Sequence, residues 1–391
     1  MGNILGSTPV VSVLAKAQVE ISSHSYQNKK WVLKNHPEGK FNSLRDAALV
    51  EETIDISNVP DDKVLIQVEA LSVDAFVRTM LDKTENKAHG SSGGIGQTIP
   101  ALGYGKIIKG NDKFKKGTSV TGLLGANNYA ILDSAGLMPN MRLPRAKPTA
   151  SLGILGISGI AAYVGMFVSP SKCPQKGETV VISAAAGAVG CIAAQMAKRC
   201  GSRVIGVAGG PVKNKFLLEE LKLDGAVDYK CTDRTIGEQL DELCPNGIDF
   251  FFDNVGGEVL DEVLQRIALH SRIVICGAVS HYDSGNINKK TLIQGPSHYI
   301  KLAEMSSSMT GFNMMHYTKN FLSAFRYLAW NYYRGNIVCP ERVEPKIDSF
   351  GNCLEMLFAG GHCGRLIVDL TAASVGVGVG VGAGAEKKKE D

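Results

Sequence analysis

The sequence predicts an α/β protein, with a doubly wound parallel sheet in the middle of the chain and β-rich segments on either side of it. Three observations carry this. Between about Ala150 and Gly335, apolar strands alternate with helical stretches, the pattern of a parallel sheet with helices on both faces. One of those strands, Thr179–Ser183, runs through a turn of small residues directly into an amphipathic helix. Short strands and turns fill residues 31–149 and return over 336–370.

In chain order, the first thirty residues show little periodicity and read as a flexible leader. They lack the basic start of a secretory signal. Met1 and Gly2 begin an acylation pattern, but Gly6 stands where that pattern wants Ser or Thr. Val64–Val68 alternates with period two, as a half-buried strand does, and the Gly-rich stretch Gly90–Gly96 reads as a mobile loop. Residues 151–168 carry no charge, yet Gly153, Gly156, Gly159 and Gly165 suit a helix packed closely in a protein core rather than a membrane span.

Within the 150–335 segment, strands are expected at Thr179–Ser183, Arg203–Ala208, Asp249–Phe252, Arg272–Cys276 and Met309–Met314. Helical patterns between them include Lys213–Leu223 and Val259–Leu269. A last strand is expected at Gly364–Leu370, and residues 371–391, Gly/Val-rich and then charged, read as a disordered tail.

Composition narrows the function. A chain of 391 residues, 44% hydrophobic, can bury two cores. A net charge of +4 without a basic stripe gives no sign of a nucleic-acid partner. The nine cysteines start only at Cys173 and form no CxxC pair. This argues against a disulfide framework and a structural zinc, and for a reducing, cytoplasmic setting.

The turn itself is Ala184, Ala185, Ala186, Gly187, Ala188, Val189 and Gly190, an A-x-x-G-x-x-G version of the dinucleotide turn. Small side chains let backbone N–H groups and the helix N-terminus approach a pyrophosphate. Small residues also pack helices onto strands, but the strand before and the helix after this turn are the context that a dinucleotide site requires. The second strand decides which dinucleotide. A site for NAD wants Asp or Glu about 20 residues past the turn. Here the run VAGGPVKNK, Val207 to Lys215, offers no carboxylate before Glu219. Lys213 and Lys215 would attract the 2′-phosphate of NADPH, which a carboxylate would repel. Two further turns follow strands in the same way: FDNVGG, with Asn254, and CGAVSHY, with Cys276 and Tyr282.

Taken together, SVDAFVR (72–78), AAAGAVG (184–190), DYK (228–230), FDNVGGE (252–258), CGAVSHY (276–282) and GRLIV (364–368) resemble the zinc-independent prostaglandin reductase and alkenal double-bond reductase family. That family belongs to the medium-chain dehydrogenase/reductase superfamily, and the resemblance runs from about Trp31 to Leu370. It implies a GroES-like catalytic domain built from both chain ends (31–149 and 336–370) around a Rossmann domain (150–335). It also implies homodimers and NADPH-dependent reduction of the C=C bond of enals and enones. Carried over to this chain, Ala186, Gly187, Val189 and Gly190 would meet the pyrophosphate, and Lys213 and Tyr229 the 2′-phosphate. Asn254, Cys276 and Phe312 would lie along the cofactor, and Tyr282 beside the nicotinamide ribose and the substrate carbonyl. Phe76, Arg78 and Tyr317 would face the substrate, and His362 and Arg365 the cofactor again. The chain departs from the family where Pro-Tyr is replaced by Ala75-Phe76, and where Asn-x-Gly-Lys reads His362, Cys363, Gly364, Arg365.

The zinc-dependent relatives need Cys and His or Glu ligands in the N-terminal half. This chain has no cysteine before Cys173, and Gly103, Tyr104 and Gly105 stand where Gly-His-Glu would be. The reaction implied is hydride transfer to the β-carbon of an unsaturated carbonyl, with Tyr282 as a donor to the developing enolate. Two alternatives stand beside it: a quinone reductase using the same cofactor, and a non-catalytic NADPH-binding protein.

Overall fold

A computed structural model describes residues 25–83, 94–140, 143, 146–282 and 295–371. The leader up to residue 24, part of the Gly90–Gly96 stretch and the tail from residue 372 lie outside the described residues.

Strands β1 (Ser25–Leu33) and β2 (Ala47–Asp55) pair antiparallel as a ribbon. β1 takes in residues 25–30, which the sequence reading places in the leader; Lys30 sits opposite Val50. The partner strand lies some twenty residues away, so local periodicity carries no trace of the pairing. Then come β3 (Lys63–Ser72), β4 (Leu102–Lys109), β5 (Ser119–Leu123), β6 (Tyr129–Asp133) and β7 (Met138–Pro139).

The central sheet contains β8 (Thr179–Ser183), β9 (Arg203–Ala208), β10 (Gly225–Asp228), β11 (Ile248–Asp253), β12 (Ile267–Ile275) and β13 (Ser308–Gly311). All its pairs are parallel, in the order β10-β9-β8-β11-β12-β13. Numbered from its own first strand, that order is 3-2-1-4-5-6, the doubly wound arrangement of a Rossmann domain. Alternation within β11 shows why these strands read as unbroken apolar runs. Phe250 and Phe252 pack into the core that includes Ile182, Ile192 and Met196. Phe251, between them, packs into the opposite core with Val181, Ile205 and Val263. Successive side chains leave opposite faces, and helices cover both.

The chain then returns through β14 (Glu341–Pro345) and β15 (Arg365–Asp369) to the first region, where the order is β14-β15-β3-β4-β5-β7, with β6 also on β3. Both chain ends therefore build this mainly antiparallel sheet, which has its own core around Val64, Ile66, Leu71, Phe350 and Leu366.

Some boundaries differ from expectation. The helix expected over Val259–Leu269 ends at Leu264, because Ile267 already pairs with Ile248 in β12. Lys213–Leu223 divides into a helix, Pro211–Lys215, and a wider π turn, Phe216–Glu220. β13 stops at Gly311, and Phe312 follows it. The uncharged stretch 151–168 gives a buried helix at Ile157–Phe167. Among the described residues no helix is long and apolar enough to cross a membrane.

Candidate functional site

The direction of winding changes between β8 and β11, so the crevice outside their carboxyl ends is where a sheet of this kind binds ligand. The turn after β8 is compact. Ala184 takes a positive φ of 47°, and the Gly187 N–H donates to Ala184 O at 2.9 Å. Gly187 then caps the helix Ala188–Arg199 with no side-chain hydrogen bond. The N–H groups of Ala188, Val189 and Gly190 have no acceptor within the helix. A side chain at Gly190 would put its Cβ 2.2 Å from Ala184 O, so only glycine lets helix and strand approach this closely. Ala186 is buried in the same turn.

Across the crevice, Asp253 ends β11 fully buried. It accepts from Ser183 Oγ at 2.8 Å and from the N–H groups of Val255 and Gly256. Burial raises its pKa, against the pull of those three bonds. The Asn254 N–H donates to Ser183 Oγ and its side-chain amide to Ser183 O, both at 2.7 Å. Cys276 follows β12 with its N–H on Asp253 O at 2.7 Å; burial, and next Asp253, push its thiol to about 12. Tyr282 is 8% exposed. Its hydroxyl oxygen accepts from the Ala278 N–H at 3.3 Å, and burial raises its pKa.

A second group of residues gathers beyond β9. The Tyr229 ring lies against the bare backbone of Gly209, where a Cβ would come within 2.6 Å of it. Lys213 Nζ reaches the turn after the helix Phe350–Ala359, 3.2 Å from where a Cβ of Gly360 would be. Burial lowers the Lys213 pKa, with Lys230 adding to the effect. Lys215, by contrast, pairs with Glu219 at 3.7 Å in solvent. Lys213 makes no ion pair among the described residues. His362 is held near pKa 4 by burial and then by Lys213, Arg342 and Arg365, and its Nδ1 is buried without a hydrogen-bond partner.

The substrate-side candidates divide. Phe76 sits on the helix Ala75–Met80, which packs against Val279–Tyr282, and its ring rests partly buried on the neighbouring core. Phe312 and Tyr317 meet edge-on, with ring centroids 6.4 Å apart. Arg78, expected to face the substrate, is fully buried, paired with Asp82 and bonded to Gly39 O at 2.7 Å, so its guanidinium also supports the fold. The Arg365 guanidinium, expected at the cofactor, is buried on Asp74.

Sequence reading passed over Ser183, Asp253, Asp74 and Ser158. Asp253 and Asp74 lie inside the quoted FDNVGGE and SVDAFVR, but nothing local says that a serine at the end of β8 completes one and an arginine near the chain terminus the other. Among the described residues no group of three or more His, Cys, Asp or Glu could hold a metal ion.

Comparison with known proteins bears on this geometry. Two family models match: "Zinc-binding dehydrogenase" over residues 188–321 and "N-terminal domain of oxidoreductase" over residues 29–139. The chain is 31% identical to a 2-alkenal reductase (NADP(+)-dependent) of Nicotiana tabacum, over 87% of this chain and 97% of that one. It is 35% identical to prostaglandin reductase 1 of Mus musculus, over 66% of this chain and 74% of that one. Among solved structures, CurA in complex with NADPH from Vibrio vulnificus superimposes with a TM-score of 0.79 at 28% identity, covering 88% of this chain and 100% of that one.

Proposed function

The chain belongs to the zinc-independent medium-chain dehydrogenase/reductase family, and from that premise we propose that it reduces the C=C bond of α,β-unsaturated aldehydes and ketones with NADPH. The observation that carries the cofactor is Lys213, a partly buried ammonium with no ion-pair partner among the described residues, whose Nζ lies beside the turn at Gly360. The helix N-terminus at Gly187, left uncapped by any side chain, fits a pyrophosphate equally well. NADPH, when bound, supplies a hydride for the β-carbon of the substrate.

The protein's own residues do the rest. Ala188, Val189 and Gly190 present N–H groups to the pyrophosphate, and Lys213 and Tyr229 hold the 2′-phosphate. Ser183, Asp253 and Asn254 fix the two strand ends that frame the crevice. Tyr282 places a hydroxyl at the same edge. A tyrosine hydroxyl can accept and donate at once; the bond from Ala278 uses it as an acceptor, and its proposed role is to donate to the carbonyl oxygen as charge develops there. Its raised pKa keeps the proton on at neutral pH. Phe76 and Tyr317 line the acceptor side, and two chains associate as a homodimer.

The test is NADPH oxidation by the purified protein with a medium-chain 2-alkenal, a 15-keto-prostaglandin-like enone and a panel of quinones, each repeated with NADH. Turnover of enals or enones with NADPH far above NADH is expected. Turnover of quinones alone, or NADPH binding with no turnover, would overturn the assignment.

A further inference from the structure

We propose that Arg365 is a positioning residue that ties the substrate-side helix Ala75–Met80 to the dinucleotide turn, holding the two walls of the crevice at one spacing; this rests on the reductase reading above. Arg365 reaches Asp74 with both ends of its guanidinium, Nη1 to Oδ1 at 2.7 Å and Nη2 to Oδ2 at 2.9 Å. The two side chains are 5% and 7% exposed. Asp74 stands at the N-cap position of Ala75–Met80, the helix that carries Phe76 and packs on Val279–Tyr282. Asp74 is fixed in turn by Ser72 Oγ at 2.7 Å.

The other end of the link is backbone. Gly364, next to Arg365, donates its N–H to Ala186 O at 2.7 Å and bridges to Gly187. The Arg365 N–H itself donates to Pro340 O at 2.7 Å. From the dinucleotide turn to the helix bearing Phe76, the path therefore runs through one peptide and two side chains, those of Arg365 and Asp74. Nη1 also donates to Ser158 Oγ at 3.2 Å, on the helix that packs against Ala188–Arg199.

A buried ion pair is a poor way to add stability, because desolvation offsets most of the attraction and an apolar pair of similar volume often does as well. What the pair adds is geometry. A guanidinium fork on a carboxylate fixes both distance and angle, whereas two apolar side chains slide. Hydride transfer is sensitive to that spacing, since a displacement of about 1 Å can cost on the order of 100-fold in rate.

The experiment compares wild type, the double variant Asp74→Leu/Arg365→Met, and Arg365→Lys. The readouts are melting temperature, NADPH affinity by fluorescence, and kcat and KM with a 2-alkenal. The double variant is expected to melt within a few degrees of wild type and bind NADPH within about threefold, with kcat down by about 10- to 100-fold. Arg365→Lys, which keeps the charge but loses the fork, is expected to melt near wild type with kcat down about tenfold. Either variant folding well and turning over at the wild-type rate would overturn the proposal. Hydrogen exchange gives a readout without turnover: NADPH is expected to protect the amides of Ala75–Met80 in wild type and less so in the double variant. Wild type binding NADPH but reducing no enal would count against the reductase reading alone, and equal protection in both proteins would sink the positioning role.

Discussion

Ser183 Oγ donates to Asp253 Oδ1 at 2.8 Å and accepts from the Asn254 N–H at 2.7 Å, so one hydroxyl stitches the carboxyl ends of β8 and β11 together at the point where the sheet reverses its winding. Ser183→Ala would leave a buried carboxylate short of a donor and a backbone N–H without an acceptor. A loss of about 2–3 kcal/mol in unfolding free energy is expected from such orphaned groups, read by denaturant titration. An unchanged midpoint would mean that water takes over both bonds.

Lys213 and Lys215 look alike in sequence but differ in surroundings, since Lys215 has Glu219 and Lys213 has no ion-pair partner among the described residues. Lys213→Met is expected to weaken NADPH binding about 10- to 100-fold, the scale of a charged hydrogen bond, and NADH binding hardly at all. Lys215→Met should change neither by more than about twofold. Fluorescence titration with both cofactors checks this, and equal loss for NADH would remove Lys213 from the 2′-phosphate.

Tyr282→Phe deletes the hydroxyl and keeps the ring. The expected outcome is a fall in kcat with enones of about 100-fold, as for the loss of one oxyanion donor, with NADPH affinity within about threefold. Parallel losses in both would make Tyr282 a cofactor contact only.

His362 gives a pH dependence with a definite sign. Its folded pKa, about 4, lies below the ordinary 6.5. As pH falls below 6.5 the unfolded chain takes up a proton that the folded chain refuses until about 4, so stability declines across that window and levels off beneath it. The decline should reach at most about 3 kcal/mol. His362→Asn should flatten it. Unfolding free energies of the two proteins, measured from pH 4 to pH 7, should converge toward pH 7 in slope; identical curves would show that His362 gains a proton without cost.

How much of this was legible in the sequence depended on range. Thr179–Ser183, the turn to Gly190 and the helix behind it follow from composition and period, because strand, turn and helix are each fixed by residues within a few places of one another. The carboxyl edge was legible too, since Asn254, Cys276 and Tyr282 each follow an apolar strand. The helix that ends at Leu264 instead of Leu269 was not: Ile267 suits either a helix face or a strand, and its pairing with Ile248 settles the matter.

By itself, then, the sequence determined the doubly wound sheet, the small-residue turn and the absence of an acid after the second strand, all of them consequences of local backbone sterics and period. Only the tertiary structure decided where the charges go. Arg78 and Arg365 both sit in or beside motifs that point to a ligand, yet one is buried on Asp82 and the other on Asp74, 291 residues away in the chain. A guanidinium that leaves water must find a carboxylate, and which carboxylate is near is a property of the fold.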